Sequence, residues 1–278
     1  MVHGGNSTSQ TAPRISQTTQ PSELGAKARA AMIGIVRDKD PGAVDRFFAE
    51  AFVQHDVALS DGVPGMREYA AEIAASATAD LIIYRTLEDR EFVLLHSKYI
   101  GLRGHLAPLI AFDLFRFVDG KIAEHWGGQE PEAPPNPSGR SQVDGPTVVT
   151  DRDRTEENRA LVRQFKEIVT VQLQFDRVDE FIQGDNYIQH ALKVGDGTDR
   201  MKSRIASVAK SGSEPALKPR RYIADGNFVL ALVEAKMESG PTANYDLFRV
   251  ENGWIVEHWD VISQILPRDK WRNANGPF

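Results

Sequence analysis

Apolar residues along the chain follow two spacings, and the order in which those spacings occur is played through twice. From Ser22 they fall at helical intervals (Ala28, Met32, Ile35, Val36), with Ser22 and Glu23 as a helix start, until Asp40-Pro41-Gly42 breaks the run. A short helix over 43–50, a strand over 52–56, a turn at Asp61-Gly62 and a helix over 65–76 come next. Four strands are then predicted, over 81–87, 92–100, 109–118 and 121–126. The second round opens at Thr155 with a helix to about residue 174, whose buried stripe is Leu161, Val162, Phe165, Ile168 and Val169. A short helix over 176–183, the strand Tyr187-Ile-Gln-His190, the strand from Phe228 and a hairpin over 246–260 complete it.

The two rounds share residues as well as spacing. Asp113-Leu-Phe-Arg ends in Glu124-His125-Trp126, and Asp246-Leu-Phe-Arg ends in Glu257-His258-Trp259, each pair of counterparts 133 positions apart. Phe52-Val-Gln-His55 matches Tyr187-Ile-Gln-His190 at an offset of 135. A near-constant offset means two copies of one domain with insertions confined to loops. Helices followed by a meander of antiparallel strands predict an α+β fold in each copy, a curved sheet wrapped on its helices with a cavity on the concave face. The expected division is a disordered leader over 1–21, a first domain over 22–130, a Pro-rich linker over 131–150, a second domain over 151–266 and a polar tail over 267–278.

Composition narrows the function. The 278 residues include no cysteine, which excludes thiolate metal sites and a cysteine nucleophile. A formal net charge of −6 with mixed signs argues against nucleic acid as partner. No apolar run approaches the roughly 20 residues that span a bilayer and no secretory signal pattern opens the chain, so a cytoplasmic, non-membrane protein is expected. No close-spaced histidine pair of the zinc-binding kind occurs, so neither a metal nor another cofactor is expected.

Asp113 lies inside the apolar run Leu-Ile-Ala-Phe-Asp-Leu-Phe, where a carboxylate is costly unless it is paired or used. Within reach of histidines such a group could abstract a proton next to a carbonyl, although it could equally serve to hold a histidine or a loop amide. The candidates are His55, His96, Tyr99, Asp113 and His125 in the first copy, and His190, Asp246 and His258 in the second. Register decides which of them meet. A two-residue turn at Asn252-Gly253 sets Asp246 opposite Trp259, and a three-residue loop sets it opposite His258.

Taken together, Tyr/Phe-x-Gln-His, Asp-Gly, the His96-Ser97 strand end and the Asp-x-Phe-Arg…Glu-His-Trp hairpin resemble the SnoaL-like polyketide cyclases of the nuclear transport factor 2-like superfamily. The resemblance implies two tandem cone-shaped domains packed as a pseudo-dimer within one chain, with further oligomerisation open. It also implies a cofactor-independent cyclase or isomerase acting on a carbonyl compound, with Asp113 as base, His55 and His96 as pocket histidines, and His125, Tyr99, Asp246, His190 and His258 as binding residues. The same fold also carries epoxide hydrolases, dehydratases and plain binding modules. The second copy has no histidine in its strand Leu230-Ala-Leu-Val-Glu234, so the chemistry is expected in the first.

Overall fold

A computed structural model of the chain describes residues 22–102, 105, 107–203, 206, 217–237 and 239–278; the predicted leader lies outside them. The first half runs α1 (Glu23–Val36), α2 (Ala43–Phe47), β1 (Phe48–Gln54), α3 (Gly62–Ala74), β2 (Asp80–Asp89), β3 (Phe92–Ile100), β4 (Leu109–Val118) and β5 (Lys121–Pro131). The second runs α4 (Thr155–Phe165), β6 (Ile188–Gln189), β7 (Lys218–Asp225), β8 (Phe228–Met237), β9 (Gly240–Glu251) and β10 (Trp254–Gln264). Each half forms a five-stranded sheet of the same order, β1-β5-β4-β3-β2 and β6-β10-β9-β8-β7, with the first strand parallel to the last and the rest antiparallel. The fold is α+β, in two tandem copies, as the repeat requires.

Local departures from the predicted elements have simple causes. The helix predicted over 43–50 ends at Phe47, and Phe48 already pairs with Ile122. The long helix of the second half is α-helical only to Phe165 and continues as a π-turn over Lys166–Val171. The short helix predicted over 176–183 is a 3₁₀ turn, Phe175–Glu180.

Both faces of each sheet are covered. In β4, Ala111, Phe115 and Phe117 pack on α1 and α3, whereas Ile110, Phe112 and Leu114 point the other way. This second face joins Leu230, Leu232, Tyr245, Leu247 and Trp259 of the other half in one continuous core. A strand buried on both faces reads as an unbroken apolar run, which explains 109–118. The halves therefore pack sheet on sheet. The contact is reciprocal: Arg85 of the first half lies over Trp259, 4.3 Å from its ring centre, and Arg221 of the second lies over Trp126 at 4.4 Å. Gly128 sits against the Tyr245 ring so closely that a Cβ there would come within 2.2 Å of it.

The segment after each half crosses to the other. In the linker, Asn136 Nδ2 donates to the carbonyls of Gln189 (2.6 Å) and Val194 (2.8 Å), and the Ser141 carbonyl meets His190 Nδ1 at 2.7 Å. In the tail, Asn273 Nδ2 donates to the carbonyls of Asp56 and Leu59, Asn275 Nδ2 to that of Gln54, and the Gly276 carbonyl meets His55 Nδ1 at 3.0 Å. The linker is thus built into the fold by buried amides rather than spanning solvent.

One ionisable group ties the sheets together with a measurable consequence. Glu130, at the end of β5, accepts from Gln142 Nε2 (2.7 Å) and from the Ile262 amide (3.3 Å). Burial, reinforced by the Asp260 carboxylate, pushes it up to about 7 from an ordinary 4.5. A carboxyl whose folded value is raised contributes its full stability below 4.5 and loses it as pH rises through about 7. Glu130→Gln is therefore expected to leave stability at pH 5 nearly unchanged and to raise it by about 1–2 kcal/mol at pH 8. Parallel pH–stability curves for the two proteins in chemical denaturation would remove Glu130 from this role.

Candidate functional site

Each cavity is built by a strand end, a hairpin and a bulge. β1 ends at Gln54, whose backbone N–H donates to Asp61 Oδ1 at 2.9 Å; Asp61 also caps α3. Gln189 and Asp196 repeat this contact at 3.0 Å. The hairpins turn through two residues, Asp119-Gly120 and Asn252-Gly253, and each then slips by one at a bulge, between Ile122 and Glu124 and between Ile255 and Glu257. The bulge sets Asp246 opposite Asp260, and neither register open from sequence is the one adopted. Asp113 correspondingly lies opposite Gly127, and His125 opposite Phe115. Because the bulge reverses the alternation, Ile122 and His125 share the helix-side face while Glu124 and Trp126 point into the sheet–sheet interface.

In the first half this brings Asp113, His125 and Tyr99 to one small cavity of about 40 Å³, lined also by Met32, Tyr69 and Asp56. Tyr99 O–H donates to Asp113 Oδ2 at 2.7 Å. Burial first, then the charge of Asp113, pushes the Tyr99 phenol well above its usual value, so it remains a donor. His125 Nε2 faces Asp113 Oδ1 at 3.2 Å, and His125 Nδ1 faces Gln54 Oε1 at 3.0 Å. The Asp56 amide N–H donates to the same Gln54 oxygen at 2.9 Å, so that atom is an acceptor and His125 Nδ1 carries a proton. The Nε2–Oδ1 contact consequently holds one proton between imidazole and carboxyl. Gln54, 0% exposed, is one residue that sequence reasoning missed. Its signal was the recurrence of glutamine before the histidine in both copies.

The second half repeats the chain with one change. His258 Nδ1 meets Gln189 Oε1 at 2.8 Å, and that oxygen also accepts from the Ala191 amide. His258 Nε2 lies 3.4 Å from Asp246 Oδ1. The difference is Lys166, whose ammonium donates to Asp246 Oδ2 at 2.6 Å from the π-turn. Burial alone would raise Asp246, but Lys166 and His258 outweigh it and hold the carboxyl well below the usual carboxylate range. The cavity here is about 480 Å³. Asp246, His258 and Asp260 each offer a ligand atom within 4.8 Å of the others, with the Lys166 ammonium already on Asp246 Oδ2.

Three predicted site residues line neither of these two cavities. His55 and His190 follow their glutamines by one position and so point to the interface face. His55 stacks on Trp126 (ring centres 4.5 Å apart) with Nε2 on Glu124 at 3.0 Å; His190 stacks on Trp259 (4.7 Å) with Nε2 on Glu257 at 2.8 Å. His96 stacks on Phe112 between the sheets, its Nδ1 accepting from Arg85 Nη1 at 3.1 Å, and burial with the neighbouring Arg85 keeps it well below its usual value and neutral. The expected sharing of Asp113 with His55 and His96 is replaced by sharing with His125 and Tyr99. The absence of a histidine in the matching strand of the second half concerns the interface, not the cavity.

Fold and site together define a tandem of two α+β domains, each with a Gln–His–Asp chain on the helix-side face of its sheet. No protein-family model and no curated protein sequence matches the chain. Among solved structures it is similar to TsrD from Streptomyces laurentii (15% identity, TM-score 0.36, covering 40% of this chain and 91% of that one). It is also similar to a protein from Bacillus cereus ATCC 10987 described as a putative polyketide cyclase (18%, TM-score 0.36, 39% and 75%). A third is an epoxide hydrolase of LEH-like type from M. tuberculosis (16%, TM-score 0.35, 39% and 84%).

Proposed function

We propose that the first half is a cofactor-independent proton-transfer catalyst acting next to the carbonyl of a small molecule, in an isomerisation or an aldol-type ring closure. Asp113 takes the α-proton onto a carboxylate oxygen. The electron pair of the C–H bond moves into the carbonyl, and the enolate oxygen is met by the Tyr99 hydroxyl and by His125, which then returns a proton to carbon or oxygen. The observation that carries this reading is that Asp113 is held between a phenol and an imidazole, whereas Asp246 is tied to an ammonium. A carboxylate neutralised by an ammonium is a weak base.

A cavity of about 40 Å³ holds on the order of one to three water molecules, so substrate must displace the Asp56–Leu59 loop and the tail bonded over it. The water-sized space beside Asp113 and His125 also suits a hydrolase, in which the same pair activates water. One experiment separates the two: deuterium incorporation into butanone and cyclohexanone in D₂O, followed by NMR. Exchange catalysed by the wild type is expected to fall by about 10² to 10⁴ in Asp113→Asn, which keeps side-chain size and removes the base. Equal exchange by both proteins would eliminate Asp113 as base, and conversion of styrene oxide to its diol without ketone exchange would select the hydrolase.

A further inference from the structure

The proton-transfer reading uses the first cavity and leaves the larger one unexplained. Its floor is buried and charged: Lys166 with Asp246 at 2.6 Å, and His258 beside them. Its walls are apolar, from Phe165, Phe248, Val194 and Met201. Its mouth carries Lys193 and Arg200, both exposed and neither in an ion pair among the described residues. Of the nearby acids, Asp196 is engaged by Arg140 and Asp179 by Lys202, while the exposed Asp199 does not line the cavity. Hydrogen-bonding capacity is also left over on the same face of β9, beyond the residues that line the cavity. Asn244 and Thr242 alternate with Asp246 along β9 and so share its face; both are buried, and Asn244 Oδ1 and Thr242 Oγ1 have no partner among the described residues.

We propose that this second cavity binds an amphipathic carboxylic acid, with the carboxylate at Lys193 and Arg200, the apolar body along Phe165, Phe248 and Met201, and any polar group at the far end directed to His258 and Lys166. The charges choose the sign of the ligand. The buried carboxylate already has its ammonium, so a cationic ligand would find no unpaired acid at the floor and two cations at the mouth. An anion would complete the only two cavity cations that lack an ion-pair partner among the described residues. The volume of about 480 Å³ falls in the range of small-molecule sites, roughly 300–1,000 Å³. This site does not depend on Asp113, so it stands or falls separately from the proton-transfer reading.

The test uses the full chain with octanoate, octan-1-ol and octylammonium as probes, in calorimetric titration and in NMR of protein labelled with ¹³C at the methionine methyls. Met201 lines the second cavity, and Met32 and Met66 line the first, so the methyl signals report which one fills. Saturable octanoate binding at one per chain is expected, with the Met201 signal shifting and those of Met32 and Met66 unmoved. The alcohol and the ammonium should bind at least tenfold more weakly. Lys193→Ala/Arg200→Ala, both on the exposed mouth and harmless to packing, should weaken octanoate at least tenfold and remove most of the salt dependence. Absence of saturable binding, retention of affinity in the double variant, equal binding of octan-1-ol, or shifts at Met32 and Met66 in place of Met201 would each overturn the assignment.

Discussion

Lys166→Met is expected to destabilise the protein by about 3–5 kcal/mol, because it strands a buried carboxylate. Asp246 is 8% exposed, Lys166 is 7% exposed, and their contact is 2.6 Å. Methionine is a meaningful replacement, since Met32 occupies the matching place on α1 and lines the first cavity. The pH dependence fixes the sign. In the wild type, Asp246 is depressed, so its contribution is present above the ordinary carboxylate value near 3.8 and is lost as pH falls through the lower folded value. In Lys166→Met the buried carboxyl rises instead, so the variant should regain stability relative to the wild type on acidification from pH 7 to pH 4. Adding Asp246→Asn should restore most of the loss at pH 7, since the two changes together remove the ion pair without leaving either charge alone. Chemical denaturation of the four proteins completes the cycle. A single variant as stable as the wild type at pH 7 would show that the pair is not what holds Asp246 ionised.

The second large effect is expected at Arg85, 1% exposed and at the centre of the interface. Its guanidinium donates to the carbonyls of Pro146 (2.9 Å), Val143 (3.2 Å) and Asp144, and to His96 Nδ1, while its face covers Trp259. Burial pulls Arg85 down to about 10, which still leaves it a cation at neutral pH. Arg85→Leu fills the space but leaves three carbonyls and an imidazole nitrogen without their donor, at a cost of about 3–4 kcal/mol. It should also free the linker, so that limited proteolysis cuts within 137–146 where the wild type resists. The counterpart Arg221, half-buried, stacks on Trp126 and Phe92 but holds no linker carbonyl among the described residues, so Arg221→Leu should cost only about 1 kcal/mol. Equal losses from the two substitutions would show that stacking, and not the hold on the linker, is what Arg85 supplies.

The repeat was legible because the hairpin residues recur at a fixed offset, and the α+β class followed from the order of helices and strands, whereas the parallel pairing of β1 with β5 and of β6 with β10 did not. The facing of side chains was not legible. β4 and β5 are buried on both sides, so their apolar residues do not say which face meets the helices, and a one-residue bulge after each turn reverses every assignment beyond it. That is why Asp113 could be singled out while its partners were misplaced: His55 and His96 carry the interface, and Gln54 and His125 carry the cavity. Lys166 was hidden for another reason. It stands on the buried stripe, four residues after Val162 and three before Val169, but a lysine there carries no sign of the carboxylate it meets from a distant strand. Arg85 and Arg221 recur at an offset of 136, close to that of the other repeated residues, and that recurrence was the available signal for the interface.

The central claim is that the two cavities share a Gln–His–Asp chain but only the first can transfer a proton. The most direct measurement is deuterium exchange into butanone and cyclohexanone at pH 7 by Asp113→Asn and by Lys166→Met/Asp246→Asn, each against the wild type at matched folded fraction. Loss of at least 10² in Asp113→Asn with near wild-type exchange in the double variant is the predicted result. Exchange that survives in Asp113→Asn and disappears in Lys166→Met/Asp246→Asn would contradict it and move the chemistry to the second half.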